Sequence, residues 1–275
     1  MIDLNSFRNL SLEGKVALVT GATQGLGEAV AHLFADRGIK GLAITGRNET
    51  RGEKVRAALE AKGVRAIFVA GDLGKQDDVA GIVPAADRAF GRIDVLVNAA
   101  AITDRGTIWD TSPQLFDAMF AVNVRTPFFL MQDALTLMKR EKIKGSVINI
   151  ISMSGHGGQS FITAYCASKG ALITLTRNVA YSVMSHNIRV NGLTIGHMNT
   201  PGEDRIMKTY HGAQDGWLAE AMKAKPFGRL LETDEVARAV AYLASDESGM
   251  MTGSIIDFDQ QVRGAGDAPP PPPAA

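Results

Sequence analysis

A short apolar strand, a glycine-rich turn and an amphipathic helix follow one another near the start of the chain. Residues 15–20 form a β-branched apolar run typical of a buried strand. Residues 21–27, Gly-Ala-Thr-Gln-Gly-Leu-Gly, come next, and residues 28–37 have helical apolar spacing. Glycines let a backbone approach a ligand closely, and the N–H groups at a helix start favour an anion. The unit predicts a dinucleotide-binding βα fold, with a plain turn as the alternative.

Strand-like and helix-like segments alternate along the rest of the chain. The candidate strands lie at about residues 15–20, 41–46, 65–70, 93–97, 145–151, 187–193 and 254–258. Helical patterns lie between them, among them residues 49–62, 113–139 and 163–185. Such alternation implies parallel strands joined by right-handed crossovers. The sequence therefore predicts an α/β fold: a doubly wound, mostly parallel, seven-stranded Rossmann-type sheet with helices on both faces.

The predicted domain organisation is one domain followed by a tail. A chain of 275 residues can bury one large core, which we place in residues 1–263. Residues 196–230 carry glycines, prolines and polar side chains between a strand and the last helix, which is typical of a substrate lid. Residues 264–275 are rich in proline and alanine and predict a mobile tail.

The composition excludes several classes of function. Lys+Arg and Asp+Glu both number 29, whereas nucleic-acid binding usually needs a basic face. No apolar run approaches the roughly 18 residues of a membrane span, and the first residues lack the apolar segment of a signal peptide. The histidines show no metal-ligand spacing, and the only cysteine, Cys166, is interpreted as a packing residue. We expect a cytoplasmic protein with a small-molecule substrate and without a metal, nucleic-acid or membrane partner.

A tyrosine and a lysine are spaced one helical turn apart in the second half of the chain. Tyr165 and Lys169 occur in Thr-Ala-Tyr-Cys-Ala-Ser-Lys, and Ser152 precedes the tyrosine by 13 residues. On a helix, the tyrosine and lysine side chains share one face. A nearby cation favours the phenolate, so that a tyrosine with an ordinary pKa of about 10 can exchange protons near neutral pH. The trio predicts a proton-transfer site.

Taken together, these motifs resemble one family over roughly residues 12–262. In order and spacing they are similar to the motifs of the short-chain dehydrogenase/reductases: Thr20-Gly-x-x-x-Gly-x-Gly27, Asp72, Asn98-Ala-Ala-Ala101, Asn123, Ser152 and Tyr165-x-x-x-Lys169. The resemblance implies an NAD(P)-dependent oxidoreductase acting on CH–OH groups, and a homo-oligomer that is a tetramer or else a dimer.

The resemblance also implies roles for single residues. Tyr165 would be the general acid/base, and Ser152 would orient the substrate oxygen. Lys169 would hold the nicotinamide ribose and lower the pKa of the tyrosine, and Asn123 would anchor a water of the proton relay. Further cofactor contacts are expected at Gly21, Thr23, Gln24, Gly25, Leu26, Gly27, Asp72, Leu73, Asn98, Ala99, Ala100, Ile102 and Thr200.

The end of the second predicted strand bears on the choice of cofactor. In NAD users of this fold, an acidic residue there binds the adenosine ribose. Here Gly46 occupies that position and Arg47 follows it. The missing carboxylate removes repulsion against a 2′-phosphate, and an arginine can pair with that phosphate. The sequence favours NADP over NAD, with a solvated surface role for Arg47 as the alternative.

Polar residues in the segments expected to border the cleft bear on the substrate. The candidate substrate contacts are Ser154, His156, Gln159, His197, Asn199 and Trp217, and the lid adds Glu203, Asp204, Arg205 and His211. Such a set suits a sugar, polyol or hydroxy acid better than a steroid or acyl chain, although surface loops are polar in general. The lid sequence at residues 200–205, Thr-Pro-Gly-Glu-Asp-Arg, is similar to that of bacterial sugar-oxidising members of the family.

Other functions on the same scaffold remain open. One is a ketone or 3-oxoacyl reductase of the same family. Another is a non-catalytic dinucleotide-binding regulator, against which the intact Ser152, Tyr165 and Lys169 argue. A dehydratase or epimerase is the third, and the short C-terminal region leaves little room for its larger substrate domain.

Overall fold

Seven parallel strands form the centre of the protein. The computed structural model describes residues 11–264, so that the predicted tail from residue 265 onward lies outside the described residues. The strands are β1 Val16–Thr20, β2 Gly41–Gly46, β3 Arg65–Ala70, β4 Val95–Asn98, β5 Ser146–Ile150, β6 Arg189–Ile195 and β7 Ile255–Phe258. Their order in the sheet is β3-β2-β1-β4-β5-β6-β7, and every pairing is parallel. The predicted fold class is confirmed.

Helices connect the strands and cover the sheet. They are α1 Gly25–Asp36, α2 Glu49–Ala61, α3 Gln76–Phe90, α4 Pro113–Phe120, α5 Thr126–Arg140, α6 Thr163–Val183, α7 Pro201–His211, α8 Trp217–Lys223 and α9 Thr233–Ala244. The single helix predicted over residues 113–139 is interrupted by a π-helical turn at Ala121–Arg125. The predicted lid contains the helices α7 and α8. Helix α7 begins at Pro201 because Thr200 Oγ1 accepts from the Glu203 N–H as an N-cap and proline suits the first helical turn.

Strands β1, β2, β4 and β5 of the sheet are buried on both faces, as strands inside a parallel sheet are. Along β1, Ala17 and Val19 belong to the hydrophobic cluster that includes α1 and α9 residues, whereas Leu18 belongs to the cluster that includes α3 and α5 residues. Strand β1 pairs with β2 on one side and with β4 on the other. The chain therefore changes direction across the sheet at the β1–β4 boundary, and a crevice opens there beyond the carboxyl ends of the strands.

Candidate active site

The glycine loop packs directly against the segment that follows β4. Gly21 has a φ of 67°, and a Cβ there would lie 2.9 Å from the Ala100 Cα. A Cβ on Gly27 would lie 2.5 Å from the Gly21 carbonyl oxygen. Thr20 Oγ1 accepts hydrogen bonds from the Ala99 N–H at 3.0 Å and the Ala100 N–H at 3.1 Å. The loop is thus a bare backbone surface at the start of α1, which suits a pyrophosphate.

A continuous cleft of about 1100 Å³ runs from this loop to Tyr165. It is lined by most of the predicted cofactor and catalytic residues, namely Gly21, Thr23, Gln24, Gly25, Leu26, Gly27, Arg47, Asp72, Leu73, Ala99, Ala100, Ile102, Ser152, Tyr165, Lys169 and Thr200. The crowded glycines and the length of the cleft fit a dinucleotide, with its pyrophosphate at the glycine loop and its nicotinamide end near Tyr165.

Two of the predicted site residues lie behind the cleft rather than in its lining. Asn98 is 3% exposed, and its Nδ2 donates to Asn149 Oδ1 at 2.9 Å, which ties β4 to β5. Asn123 is fully buried in the π-helical turn, where its Oδ1 accepts from the Ile102 N–H and its Nδ2 donates to the Ile102 carbonyl, each at 3.0 Å. The Asn123 side chain therefore fixes the loop after β4, and its water-anchoring role stays a prediction.

Tyr165 and Lys169 are both buried on α6. Lys169 Nζ donates to the Ile150 carbonyl at 2.9 Å and lies 5.8 Å from the centre of the Tyr165 ring. Burial raises the pKa of Tyr165 to about 12, although the Ser152 hydroxyl opposes that rise. Burial also lowers the pKa of Lys169 to about 8. Desolvation dominates the pKa of both groups in this structure, and the expected effect of Lys169 on the pKa of Tyr165 stays a prediction.

Ser152 begins a short chain of hydroxyl and amide groups inside the cleft. Its Oγ accepts from the Ser154 N–H at 3.2 Å and donates to Ser154 Oγ at 3.1 Å. Ser154 Oγ in turn donates to Gln159 Oε1 at 2.5 Å. Both residues, predicted as substrate contacts, line the cleft together with Tyr165.

Three of the predicted substrate contacts point elsewhere. The His156 Nε2 atom lies 3.3 Å from Oδ1 of Asp257, which is a residue of strand β7. Asn199 Nδ2 donates to Glu232 Oε1 at 3.2 Å, and Trp217 Nε1 donates to a carboxylate of α7 at 2.8 Å. None of the three lines the cleft in the described part of the chain. Their polar atoms contact the lid and β7, and their substrate role stays a prediction.

The structure also brings to the cleft two arginines that the sequence did not single out as candidates, Arg51 and Arg105. Arg105 lines the cleft, its Nε donates to His211 Nε2 at 3.1 Å, and its guanidinium lies 5.4 Å from the Phe161 ring centre. Glu203 lies on the same side, 3.8 Å from Arg105 Nη2. Arg51 lines the cofactor end. In the sequence, Arg105 could have been identified from its position in the loop after β4, and Arg51 from its spacing of four residues from Arg47.

The described residues contain neither a candidate metal site nor a candidate membrane span. Across residues 11–264, no three His, Cys, Asp or Glu side chains are grouped so that they could hold a metal ion. No helix in that range has both the length and the apolar character needed to cross a bilayer.

Comparison with known proteins places the chain among oxidoreductases. Residues 21–260 match a family model described as enoyl-(acyl carrier protein) reductase. An uncharacterized oxidoreductase of Thermotoga maritima is 37% identical over 91% of this chain and 98% of its own. Galactitol 2-dehydrogenase of Agrobacterium fabrum and a 3-oxoacyl-[acyl-carrier-protein] reductase of Thermotoga maritima are each 32% identical, over 91% of this chain and 98% of theirs.

Solved structures show the same architecture. L-Sorbose reductase from Gluconobacter frateurii, complexed with NADPH and L-sorbose, superposes with a TM-score of 0.84 at 26% identity, over 91% of this chain and 97% of its own. An NAD⁺-bound xylitol dehydrogenase superposes with a TM-score of 0.83 at 30% identity, over 91% of this chain and 99% of its own.

Proposed function

The chain belongs to the short-chain dehydrogenase/reductase family, an oxidoreductase family acting on CH–OH groups, and we propose that its substrate is a sugar or polyol. In this proposal a secondary alcohol, or the lactol carbon of a sugar, is interconverted with a carbonyl by hydride transfer, with NADP as the preferred cofactor. Galactitol 2-dehydrogenase and L-sorbose reductase, among its relatives and structural neighbours, support this choice.

The observation that carries the proposal is the polar character of the cleft around Tyr165. Beyond the Ser152 hydroxyl, the cleft lining combines polar side chains with apolar ones, the polar set being Gln159, His197, Glu203, Arg105 and His211 and the apolar set including Phe161, Ile162 and Met207. Sugar hydroxyls both donate and accept hydrogen bonds, so they can satisfy amide, imidazole and carboxylate groups together. An acyl chain offers neither donors nor acceptors, and each polar group that it buried without a partner would cost about 1–3 kcal/mol.

The chain's own residues account for binding and for proton transfer. The glycine loop, Asp72, Lys169 and Thr200 would hold the cofactor, which supplies hydride transfer when bound. Tyr165 would exchange the proton of the substrate oxygen, and the Ser152 hydroxyl would orient that oxygen. Because Tyr165 is only 9% exposed, the site also keeps bulk water away from the transferred proton.

The proposal is tested by nicotinamide absorbance with purified protein and a panel of substrates. The panel contains aldoses, polyols, hydroxy acids, hydrophobic alcohols and 3-oxoacyl thioesters, each with NADP(H) and NAD(H). We expect turnover with at least one sugar or polyol. Turnover confined to steroids or acyl thioesters would show that the substrate class is wrong while the oxidoreductase class stands.

A second candidate is a 3-oxoacyl reductase. It is favoured by the 3-oxoacyl-[acyl-carrier-protein] reductase relative, which is as similar to this chain as the galactitol enzyme. The polar lining around Tyr165 argues against it. The acyl thioesters of the same panel separate the two candidates.

The proposed preference for NADP rests on the cofactor end of the cleft. A Cβ at Gly46 would lie 2.5 Å from Thr23 Cγ2, so an acidic side chain does not fit there unless Thr23 moves. Arg47 and Arg51 line this end, and Arg51 Nη1 donates to Gln24 Oε1 at 2.6 Å. Two arginines without an adjacent strand-end carboxylate favour a 2′-phosphate.

Arg47→Ala should weaken NADP binding by about 10- to 100-fold, because a hydrogen bond to a charged group contributes about 1.5–3 kcal/mol. NAD binding should stay unchanged, since NAD lacks the 2′-phosphate. Dissociation constants from the quenching of protein fluorescence check both values. Arg56→Ala is the matched control, because Arg56 lies on α2 and pairs with Glu53 and Glu60. Equal losses for the two cofactors would contradict the assignment.

The homo-oligomeric state and the cytoplasmic location remain predictions. Exposed aromatic side chains on and before the α4–α5 region support self-association: Trp109 is 93% exposed, Phe116 is 44% exposed and Phe128 is 43% exposed. Apolar surface of this kind is common at interfaces between subunits.

A further inference from the structure

A carboxylate lies at the substrate end of the cleft, in the first turn of α7. Glu203 lines the cleft together with Tyr165, and its side chain is 22% exposed. Its backbone N–H donates to Thr200 Oγ1 at 3.1 Å, which fixes the residue at the start of the helix. Besides burial, the charge of Glu203 contributes to the raised pKa of Tyr165. Glu203 and Tyr165 thus border the same cleft, together with Arg105, whose Nη2 lies 3.8 Å from the Glu203 carboxylate.

The Glu203 carboxylate is charged but has few partners. His197 Nε2 lies 3.0 Å from its Oε1, and Arg105 Nη2 lies at 3.8 Å. No other side chain among residues 11–264 forms an ion pair or hydrogen bond with it. Burial raises the pKa of Glu203, but His197 and the charges of Arg105 and His211 outweigh it and keep that pKa below its usual value. A ligand can therefore use the remaining acceptor positions.

The neighbouring arginine is already engaged. Arg105 Nε donates to His211 Nε2 at 3.1 Å, and Arg105 Nη1 donates to the Thr103 carbonyl at 2.9 Å. Its guanidinium also lies over the Phe161 ring, at 5.4 Å from the ring centre. Its Nε and Nη1 donors are therefore used within the protein, which leaves little of the guanidinium for an anionic substrate.

We propose that Glu203 accepts hydrogen bonds from hydroxyl groups next to the reacting carbon and thereby selects an uncharged, polyhydroxylated substrate. Both oxygens of an ionised carboxylate accept O–H donors, and such charge-assisted hydrogen bonds are about twice as strong as neutral ones. The same charge repels the carboxylate of a hydroxy acid, whereas a simple alcohol leaves Glu203 without donors. This inference rests on the proposed function and adds the residue that sets the substrate class.

The test compares three substrates in the full-length enzyme: xylitol as a polyol, 2-butanol as a simple secondary alcohol, and 3-hydroxybutyrate as a hydroxy acid. Each is measured with wild type, Glu203→Gln and Glu220→Gln. Glu220 is the matched control, since it is a lid carboxylate that pairs with Lys223 and has a 75% exposed side chain. Galactitol replaces xylitol if it is the better substrate of the wild type.

Glu203→Gln should lower kcat/KM for the polyol by about 10- to 100-fold, mainly through KM. The value for 2-butanol and the affinity for NADP should change by about twofold or less, as for substitutions that remove no contact. The ratio of hydroxy-acid to polyol turnover should rise, because the repelling charge is gone. Glu220→Gln should leave all of these values unchanged.

Two results would overturn the inference, and they are distinguishable. If the wild type oxidises polyols and Glu203→Gln keeps the same ratio of polyol to 2-butanol turnover, the role of Glu203 is wrong and the proposed function stands. If the wild type turns over no sugar or polyol, both are wrong. Should Glu203→Gln unfold more readily than Glu220→Gln, Glu203→Asp is the second variant. It keeps the charge, so it should still reject the hydroxy acid while the polyol KM rises.

Discussion

Replacing Tyr165 with phenylalanine should lower kcat for alcohol oxidation by about 10²- to 10⁴-fold, the usual contribution of a positioned general acid or base. The ring fills the same buried space, but the hydroxyl beside Ser152 is lost. Oxidation requires the phenolate to accept the substrate proton, so wild-type kcat/KM should rise with pH as the tyrosine loses its own proton. The variant should lose that rise. Steady-state rates across the pH range, with saturating NADP, check both expectations.

Tyr181→Phe is the matched control for this variant. Tyr181 lies on the same helix α6, but it is 82% exposed and outside the cleft. Its loss should leave kcat and the pH profile unchanged. NADP affinity should be retained in both variants, because the cofactor end of the cleft is untouched. If Tyr165→Phe kept more than about one tenth of the wild-type rate, another group would have to be the acid/base.

Gly27→Ala should destabilise the protein by about 1–3 kcal/mol and weaken NADP binding by about tenfold or more. Its Cβ would lie 2.5 Å from the Gly21 carbonyl oxygen and 2.7 Å from the Gly21 carbonyl carbon, both of which are backbone atoms. The first turn of α1 must therefore move away from the glycine loop, and the N–H groups that face the pyrophosphate move with it. Denaturant unfolding and NADP titration measure the two effects.

Gly81→Ala separates crowding from the general effect of adding a methyl group to a helical glycine. Gly81 lies within α3, and a Cβ there would meet no atom within 4 Å. This substitution should stabilise the protein by about 0.5–1 kcal/mol, because alanine favours the helix more than glycine does. If both variants changed stability in the same direction, the close packing at Gly27 would not be the cause.

The sheet could be predicted from the sequence because its signals are local. The strand predicted at residues 41–46 is β2, Gly41–Gly46, and the strand predicted at residues 65–70 is β3, Arg65–Ala70. Strand β2 is buried along its whole length, and such a strand is an apolar run that is visible without its partners. The glycine loop was likewise visible, because its residues are consecutive in the chain.

Long-range packing decided the features that the sequence did not predict. The helix predicted over residues 113–139 is interrupted at the π-helical turn, which contains Asn123 and its hydrogen bonds to Ile102 across the cleft loop. The pKa of Tyr165 rises to about 12 because of burial, which depends on the elements packed around α6. A spacing of four residues on one helix contains no information about that burial.

The sequence by itself determined the α/β fold, the glycine loop and the spacing of Ser152, Tyr165 and Lys169. Each of these features depends on residues that are near one another in the chain or that recur periodically along it. Only the tertiary structure decided which polar residues line the cleft. Trp217 turns to a carboxylate of α7, whereas Glu203 lines the cleft beside Tyr165. The physical reason is that polar groups in a lid can bond either to the lid or to a ligand, and only the packed positions of their partners select between the two.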